Sequence, residues 1–175
     1  MPQNLELKAR CVSLRDVLKI ARRLSGRHQS ILHQKDIYYQ VPKHRLKLRI
    51  IDGNISELIF YRRPNRKGGR YSDYLVLPIS DPENVDEFYS SIYGRRIIVR
   101  KKRILFLYKN ARIHIDTVRG LGTFIEFEVL VSEGRVQAEE LFKFLYQSFR
   151  IKHIQLCASS YSDLLVRKKS QYKQD

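Results

Sequence analysis

The chain contains no tryptophan, a single methionine, five prolines and eight glycines among its 175 residues. Glycine and proline are too few and too scattered to make an internal repeat, a low-complexity tract or a linker between domains. Cysteine is nearly absent: Cys11 and Cys157 stand far apart, and neither belongs to a CxxC pair. That argues against a disulfide framework and a cysteine zinc site. No apolar run approaches a membrane span. The first residues do not show a charged segment followed by an apolar one, as a secretory leader would. The expectation is a soluble, reduced, cytoplasmic protein without a membrane partner. Acidic residues are the last scarcity. Asp and Glu total 18 against 34 Lys and Arg, which leaves a net charge of +16 and a pI near 10.0.

A hydrophobic content of 43% and an aromatic content of 11% fit a folded globular chain. The length suits one domain, expected over residues 1–167. A basic polar tail, 168–175, follows and carries Lys168, Lys169 and Lys173. The excess positive charge attracts anions such as nucleotides, polyphosphate or nucleic acid. Part of that excess, in the tail, need serve only solubility.

Several short segments alternate charged and apolar residues at a period of two, which is the β-strand period. Leu5, Leu7 and Ala9 fall on one face of such a strand, and Asn4, Glu6, Lys8 and Arg10 on the other. The same alternation spans 45–51 and 55–63, with Asp52-Gly53-Asn54 as hairpin chemistry between them. Further strands are expected near 38–41, 70–77, 96–101, 103–109, 112–117 and 123–131. Helices are expected after Ser13, with Leu14, Val17, Leu18 and Ala21 inward, and after Asp81-Pro82-Glu83, with Val85, Phe88, Ile92 and Tyr93 inward. A third is expected over 136–149, with Val136, Leu141, Phe144, Leu145 and Phe149 inward, and a last short one through Tyr161, Leu164 and Leu165. About eight antiparallel strands, each with one ionised face, could close into a barrel and so abolish exposed edges. Helices would then cover the apolar outside, and the charged face would be the interior.

The charged positions form two opposed sets. The basic set includes Lys8, Arg10, Arg45, Lys47, Arg49, Lys101 and Arg103; the acidic set is Glu6, Glu126 and Glu128. Two glutamates two apart on a strand lie roughly 6.5–7 Å apart on one face. Their repulsion is on the order of 2 kcal/mol at an intermediate dielectric, which a sheet interior tolerates only if a cation answers it. With Glu6 they could form an all-oxygen site for Mg²⁺ or Mn²⁺. Taken alone, three solvated surface glutamates are the favoured account, because ExE pairs are common on exposed strand faces. Arginine and lysine on adjacent strands likewise repel one another until an anion joins them, and arginine offers planar bidentate donors to phosphate. The alternative is a wet basic face or an RNA-binding one, for which Tyr38, Tyr39, Tyr61 and Tyr71 supply some aromatics. The two charged sets make sense together: a divalent cation bridges phosphate oxygens and offsets their charge. Ser159 and Ser160 lack a GxSxG context, and there is no P-loop and no GxGxxG.

These segments, in order, resemble the CYTH superfamily, the triphosphate tunnel metalloenzymes. Asn4-Leu5-Glu6-Leu7-Lys8-Ala9-Arg10 resembles its N-terminal ExExK signature, and Arg45-Leu46-Lys47-Leu48-Arg49 its RLKLR strand. Residues 58–64 (LIFYRRP), 99–103 (VRKKR), 112–122 (RIHIDTVRGLG), 124–128 (FIEFE) and 160–165 (SYSDLL) continue the series. The resemblance is nearest to the class IV adenylate cyclase-like and thiamine triphosphatase-like branches. It implies an α+β fold: an eight-stranded antiparallel β-barrel tunnel with helices packed outside. It assigns phosphate binding to Lys8, Arg10, Lys47, Arg49, Arg63, Lys101, Arg103 and Arg112. Metal binding falls on Glu6, Glu126 and Glu128, with Glu128 and Asp116 as catalytic carboxylates. Asn4 departs from the pattern, standing where the signature has its first glutamate. An amide oxygen still coordinates a hard cation but brings no charge. Arg62 and His44 also depart from it, and alternation turns Arg62 away from the interior.

The implied activity is metal-dependent hydrolysis of inorganic triphosphate or an organic one, such as thiamine triphosphate or ATP, by a monomer or homodimer. Two alternatives stand beside it: a cyclase converting ATP to cyclic AMP and pyrophosphate, and a noncatalytic binder of polyphosphate or RNA.

Overall fold

A computed structural model describes residues 1–26 and 29–171. Eight strands close into one barrel: β1 (Gln3–Arg10), β2 (Ser30–Tyr39), β3 (Arg45–Ile51), β4 (Ile55–Arg62), β5 (Arg70–Ile79), β6 (Arg95–Tyr108), β7 (Ala111–Val118) and β8 (Gly122–Leu130). Around the wall the order is β1-β5-β4-β3-β2-β6-β7-β8, and β8 returns to β1. Every neighbouring pair is antiparallel. Four α-helices join them: α1 (Leu14–Ser25), α2 (Pro82–Tyr93), α3 (Arg135–Ser148) and α4 (Tyr161–Gln171). The expected eight-stranded barrel with external helices is therefore the observed fold.

The strand boundaries need two corrections. The strands expected at 96–101 and 103–109 are one, β6, because the alternation of Val99, Lys101 and Arg103 runs on with no turn residue between them. The short strand expected at 38–41 is the end of the long β2, which starts at Ser30 and stops before Val41. Inward Gln34 and Asp36 hid its start, since polar residues there do not look like a core face.

Most of the apolar core lies outside the barrel wall, while one cluster, Tyr38, Ile97, Val99, Val118, Phe124 and Tyr161, closes one end of the lumen. Leu5, Leu7 and Ala9 of β1 and Ile125, Phe127 and Val129 of β8 pack with Ala138, Leu141 and Leu145 of α3, and Ala21 of α1 joins the same cluster. A smaller cluster holds Ile37, Tyr39, Leu48 and Leu58, with Val85 and Tyr89 of α2 against it. Complete burial of side chains such as Phe127 and Leu145 contributes about 1.5–3 kcal/mol each. The helix starts follow their sequence signals. Ser13 Oγ accepts from the Asp16 amide at 3.3 Å, and the Asp81 carboxylate accepts from the Asn84 amide at 3.1 Å.

Two helical stripes face other than expected. On α2, Phe88, Ile92 and Tyr93 are exposed, and Val85 is joined by Tyr89 as the inward pair. A flat sheet contact takes only a narrow strip of so short a helix. On α3, Val136 and Phe144 are exposed while Leu141, Leu145 and Phe149 are buried. Helix α4 runs on through Lys168 and Lys169 as far as Gln171; Lys173 lies outside the described residues. No helix among the described residues is long and apolar enough to cross a membrane. Both cysteines are free.

Candidate functional site

Inverting the usual pattern, the barrel turns its ionised faces inward around a cavity of about 190 Å³. Seven basic and four acidic side chains line it: Lys8, Lys47, Arg49, Arg63, Lys101, Arg103 and Arg112 against Glu6, Glu57, Glu126 and Glu128. Strand parity and register bring them there. Glu6 of β1 stands opposite Glu128 of β8, and Lys8 opposite Glu126. Across the next ladder Arg112 faces Glu128 and His114 faces Glu126.

Each buried carboxylate holds cations in place. Asp36 of β2 receives Lys47 Nζ at 3.0 Å, Arg49 Nε at 2.7 Å and Nη2 at 3.0 Å, and Lys101 Nζ at 3.5 Å. Asp116 of β7 receives Arg103 as a fork, Nε at 2.7 Å and Nη2 at 2.6 Å, and the Tyr161 hydroxyl at 3.0 Å. Arg103 Nη2 also donates to Glu126 at 3.0 Å, and Lys8 lies 3.3 Å from the other Glu126 oxygen. Glu6 is held by Arg70 Nε at 3.0 Å and Arg63 Nε at 3.2 Å. Arg70, fully buried, also donates to the Arg66 and Cys157 carbonyls at 3.0 Å and so ties the loop and the C-terminal segment to the wall.

One carboxylate cannot neutralise three cations. Burial pushes the Asp36 carboxyl up, but Arg49, Lys47 and Lys101 together outweigh it and hold the group well below the usual range. The lysines are left under-compensated. Burial, then Arg49 and Lys101, bring Lys47 down to about 7 against the pull of Asp36. Burial and Arg103 bring Lys101 down to about 8. The wall thus carries positive charge that its own acids do not answer.

The opposite sign collects on β7 and β8. His114 Nδ1 and carboxylate oxygens of Glu126 and Glu128 all lie within 4.8 Å of one another. Burial and Arg103 lower the imidazole's pKa, which favours the neutral ring, and its buried Nδ1 has no hydrogen-bond partner. Asn4 Oδ1, two residues from Glu6 on the same strand face, is also buried and unpartnered. Two carboxylates and an unpartnered imidazole nitrogen make a donor set that fits a divalent cation, and Asn4 lines the same cavity. Of the three expected metal ligands, Glu126 and Glu128 come together with His114. Glu6 borders them by register but turns its carboxylate to Arg63 and Arg70.

The two ends of the tunnel differ. At one, the first turn of α4 enters: Ser160 and Tyr161 line the cavity, and Lys8 Nζ sits 3.8 Å from the Tyr161 ring centroid. A reciprocal cap, Ser160 amide to Asp163 at 3.2 Å and Asp163 amide to Ser160 Oγ at 3.1 Å, starts that helix, and Arg45 and Arg96 clamp Asp163. At the other end Val76 lines the cavity and is 40% exposed, so this is the mouth.

Of the expected phosphate ligands, Lys8, Lys47, Arg49, Arg63, Lys101, Arg103 and Arg112 meet at the cavity. Arg10 does not line it; its guanidinium donates to the Leu121 carbonyl at 3.3 Å and lies over Phe124. Asp116 is buried beneath Arg103 rather than at the cavity surface. Asp36, Arg70 and the inward Tyr161 were missed. Asp36 carried a signal, standing two residues before Tyr38 on one strand face.

No curated protein matches the chain. Among solved structures, the PH1012 protein of Pyrococcus horikoshii superposes with a TM-score of 0.80 at 19% identity, covering 92% of this chain and 98% of that one. A Vibrio parahaemolyticus protein described as a candidate adenylate cyclase gives 0.72 at 18%, covering 93% and 97%. HpAC1 from Hippeastrum, described as a candidate adenylyl cyclase with a dominant triphosphatase activity, gives 0.65 at 15%, covering 95% and 96%. These likenesses establish the fold. The sequence itself matches the CYTH domain model over residues 2–161, and with the motif strands now seen lining one closed lumen, this chain belongs to the CYTH family.

Proposed function

We propose that the tunnel binds a triphosphate and hydrolyses it with the help of a divalent metal ion, Mg²⁺ or Mn²⁺. One observation carries this reading: a closed lumen holds more basic than acidic side chains, beside a carboxylate–imidazole cluster that fits a cation. The dominant triphosphatase activity described for HpAC1 points in the same direction.

Lys47, Arg49 and Lys101 form one wall of phosphate donors, and Lys8, Arg63, Arg103 and Arg112 complete the ring. Asp36 and Asp116 fix those donors before substrate arrives, so little reorganisation is needed on binding. Glu126 and Glu128 would hold the metal with His114, and Glu6 and Asn4 stand next to them. When bound, the metal would neutralise charge developing on the phosphate oxygens. Glu128, two residues from Glu126 on the same strand face, would orient the attacking water. Asp116 acts through Arg103, which it holds in a two-point grip.

The test is a panel of tripolyphosphate, thiamine triphosphate and ATP, each with Mg²⁺ and with Mn²⁺, with products identified. Orthophosphate release that disappears in Glu128→Ala is the expected result. Wild-type rates in that variant would sink the assignment. Cyclic AMP and pyrophosphate from ATP would convert it to a cyclase, and tight anion binding without turnover would convert it to a binder.

A further inference from the structure

A second concavity, of about 690 Å³, lies outside the barrel wall, between α1 and the segment that follows α3. It shares no lining residue with the lumen. Its floor is apolar: Val17 and Ile20 of α1, Ile125 of β8, and Phe149 and Ile151 after α3. All five belong to the outer core or pack against it, so the floor is recessed. At one lip two aliphatic side chains stand in solvent: Val12 is 82% exposed and Ile154 87%. They are neighbours, because Gln155 Nε2 donates to the Arg10 carbonyl at 3.2 Å.

The rim of this groove is cationic. Arg10, Lys19, Arg23, Arg150 and Lys152 line it, with Asp16 as the acid among them. None of the five bases has an ion pair among the described residues. They repel one another until an anion joins them. Arg10, which the lumen does not use, is one of the five. Lys19 and Arg23 stand one turn apart on α1, and their stems reach over the floor while their charges stay at the edge. Ligand sites are typically concave and mostly apolar, with a few polar groups that fix orientation. Here those polar groups all carry one sign.

We infer that the groove binds an anionic amphiphile, a single apolar chain ending in a carboxylate or a phosphate. Charge complementarity fixes the occupant: the apolar floor alone would take any oily group, and the net positive rim selects an anionic one. The head takes Lys19 and Arg23, and the chain runs over Val17, Ile20 and Phe149 toward Val12 and Ile154. Leu14 and Arg23 lie roughly 13 Å apart along the helix axis, a span that suits a chain of medium length. A bilayer surface would be met by projecting apolar groups. This floor lies below its own rim, which favours one molecule over a membrane.

The experiment is calorimetric titration with decanoate, decyl phosphate and decylamine, three probes with one chain and different heads. Wild type, Arg23→Glu and Ile20→Asp are compared, with tripolyphosphate present and no metal ion added, so that the lumen is not the site read. The wild type should bind decanoate or decyl phosphate at one site, at least about tenfold tighter than decylamine. The better of the two anions identifies the head. Arg23→Glu should weaken both anionic probes about tenfold, and Ile20→Asp should abolish their binding. Arg23 is exposed, so its variant answers even if Ile20→Asp folds poorly. No binding of either anion, equal binding of decylamine, or an unchanged Kd in Arg23→Glu overturns the inference. Sedimentation with phosphatidylglycerol vesicles without binding of the monomeric probes would make the face a membrane surface, and overturns it as well.

Discussion

Replacing Asp36 by Asn removes one negative charge and almost no volume. Three cations, Lys47, Arg49 and Lys101, then face one another, with only Asp116, 3.9 Å from Lys101, left beside them. Asp36 is 1% exposed and Lys101 7%, so water cannot screen the repulsion. Breaking a buried pair in this way costs about 3–5 kcal/mol. For a chain of this size that is a fall of about 6–20 °C in Tm. The cost depends on pH. Without Asp36 the two lysines lose a group that raises their pKa, so they shed protons more readily. The loss should be full near pH 6, where Lys47 is charged in the wild type, and smaller near pH 9.

A triphosphate would supply the missing negative charge. Tripolyphosphate should therefore raise the Tm of Asp36→Asn by more than it raises that of the wild type. Thermal unfolding at pH 6 and pH 9, with and without tripolyphosphate, reads all of this. A loss below about 1 kcal/mol at pH 6 would mean that Asp36 is not what offsets these cations. An anion shift no larger than in the wild type would mean that phosphate does not bind against this wall.

Two further outcomes follow from the same lumen. Lys47 near 7 and Lys101 near 8 sit below the 10.5 of the unfolded chain, so between about pH 7 and 9 the unfolded state binds more protons. The apo protein should gain stability across that interval, by up to about 1.4 kcal/mol per pH unit for each lysine. Tripolyphosphate should flatten the slope by restoring their protons, and a flat or falling apo profile would contradict the burial argument. Asn4→Asp adds a carboxylate beside Glu6 and the Glu128 cluster. It should tighten metal binding about tenfold by calorimetry, and unchanged or weaker binding would place Asn4 outside the metal's reach.

Much of this was legible because strand parity is a local property. Glu6 and Lys8, Lys47 and Arg49, and Glu126 and Glu128 each share a face whatever the rest of the chain does. What parity does not reveal is the partner across the ladder. That Asp36 gathers Lys47, Arg49 and Lys101 depends on β2 lying between β3 and β6, an order that no local pattern encodes. Arg70 was invisible for a related reason. It opens a strand after a basic loop and looks like one more surface charge, until the β1–β5 ladder sets it opposite Glu6. Arg10 erred the other way: it has the right parity, but it lies at the end of β1, where parity no longer aims a side chain into the cavity.

A barrel with its charges inside must be stabilised elsewhere, and here the larger apolar clusters lie outside the wall. Leu7, Phe127 and Leu145 are completely buried on the outer side of the wall, beneath helices, and none of them touches the cavity. The inner surface is then free to be poor at folding and good at binding. Its carboxylates are fewer than its cations, so Asp36, Glu126 and Glu6 each fix more than one base in position and none fully satisfies them. An anion entering this lumen completes an electrostatic arrangement already built, rather than assembling one. The depressed lysines mark where that completion is most needed: Lys101 lies on β6, beside β7, and Lys47 on β3, across the lumen from β8 of the carboxylate–imidazole cluster. A phosphate chain set between those two walls would meet cations from the protein on one side and from a bound metal on the other.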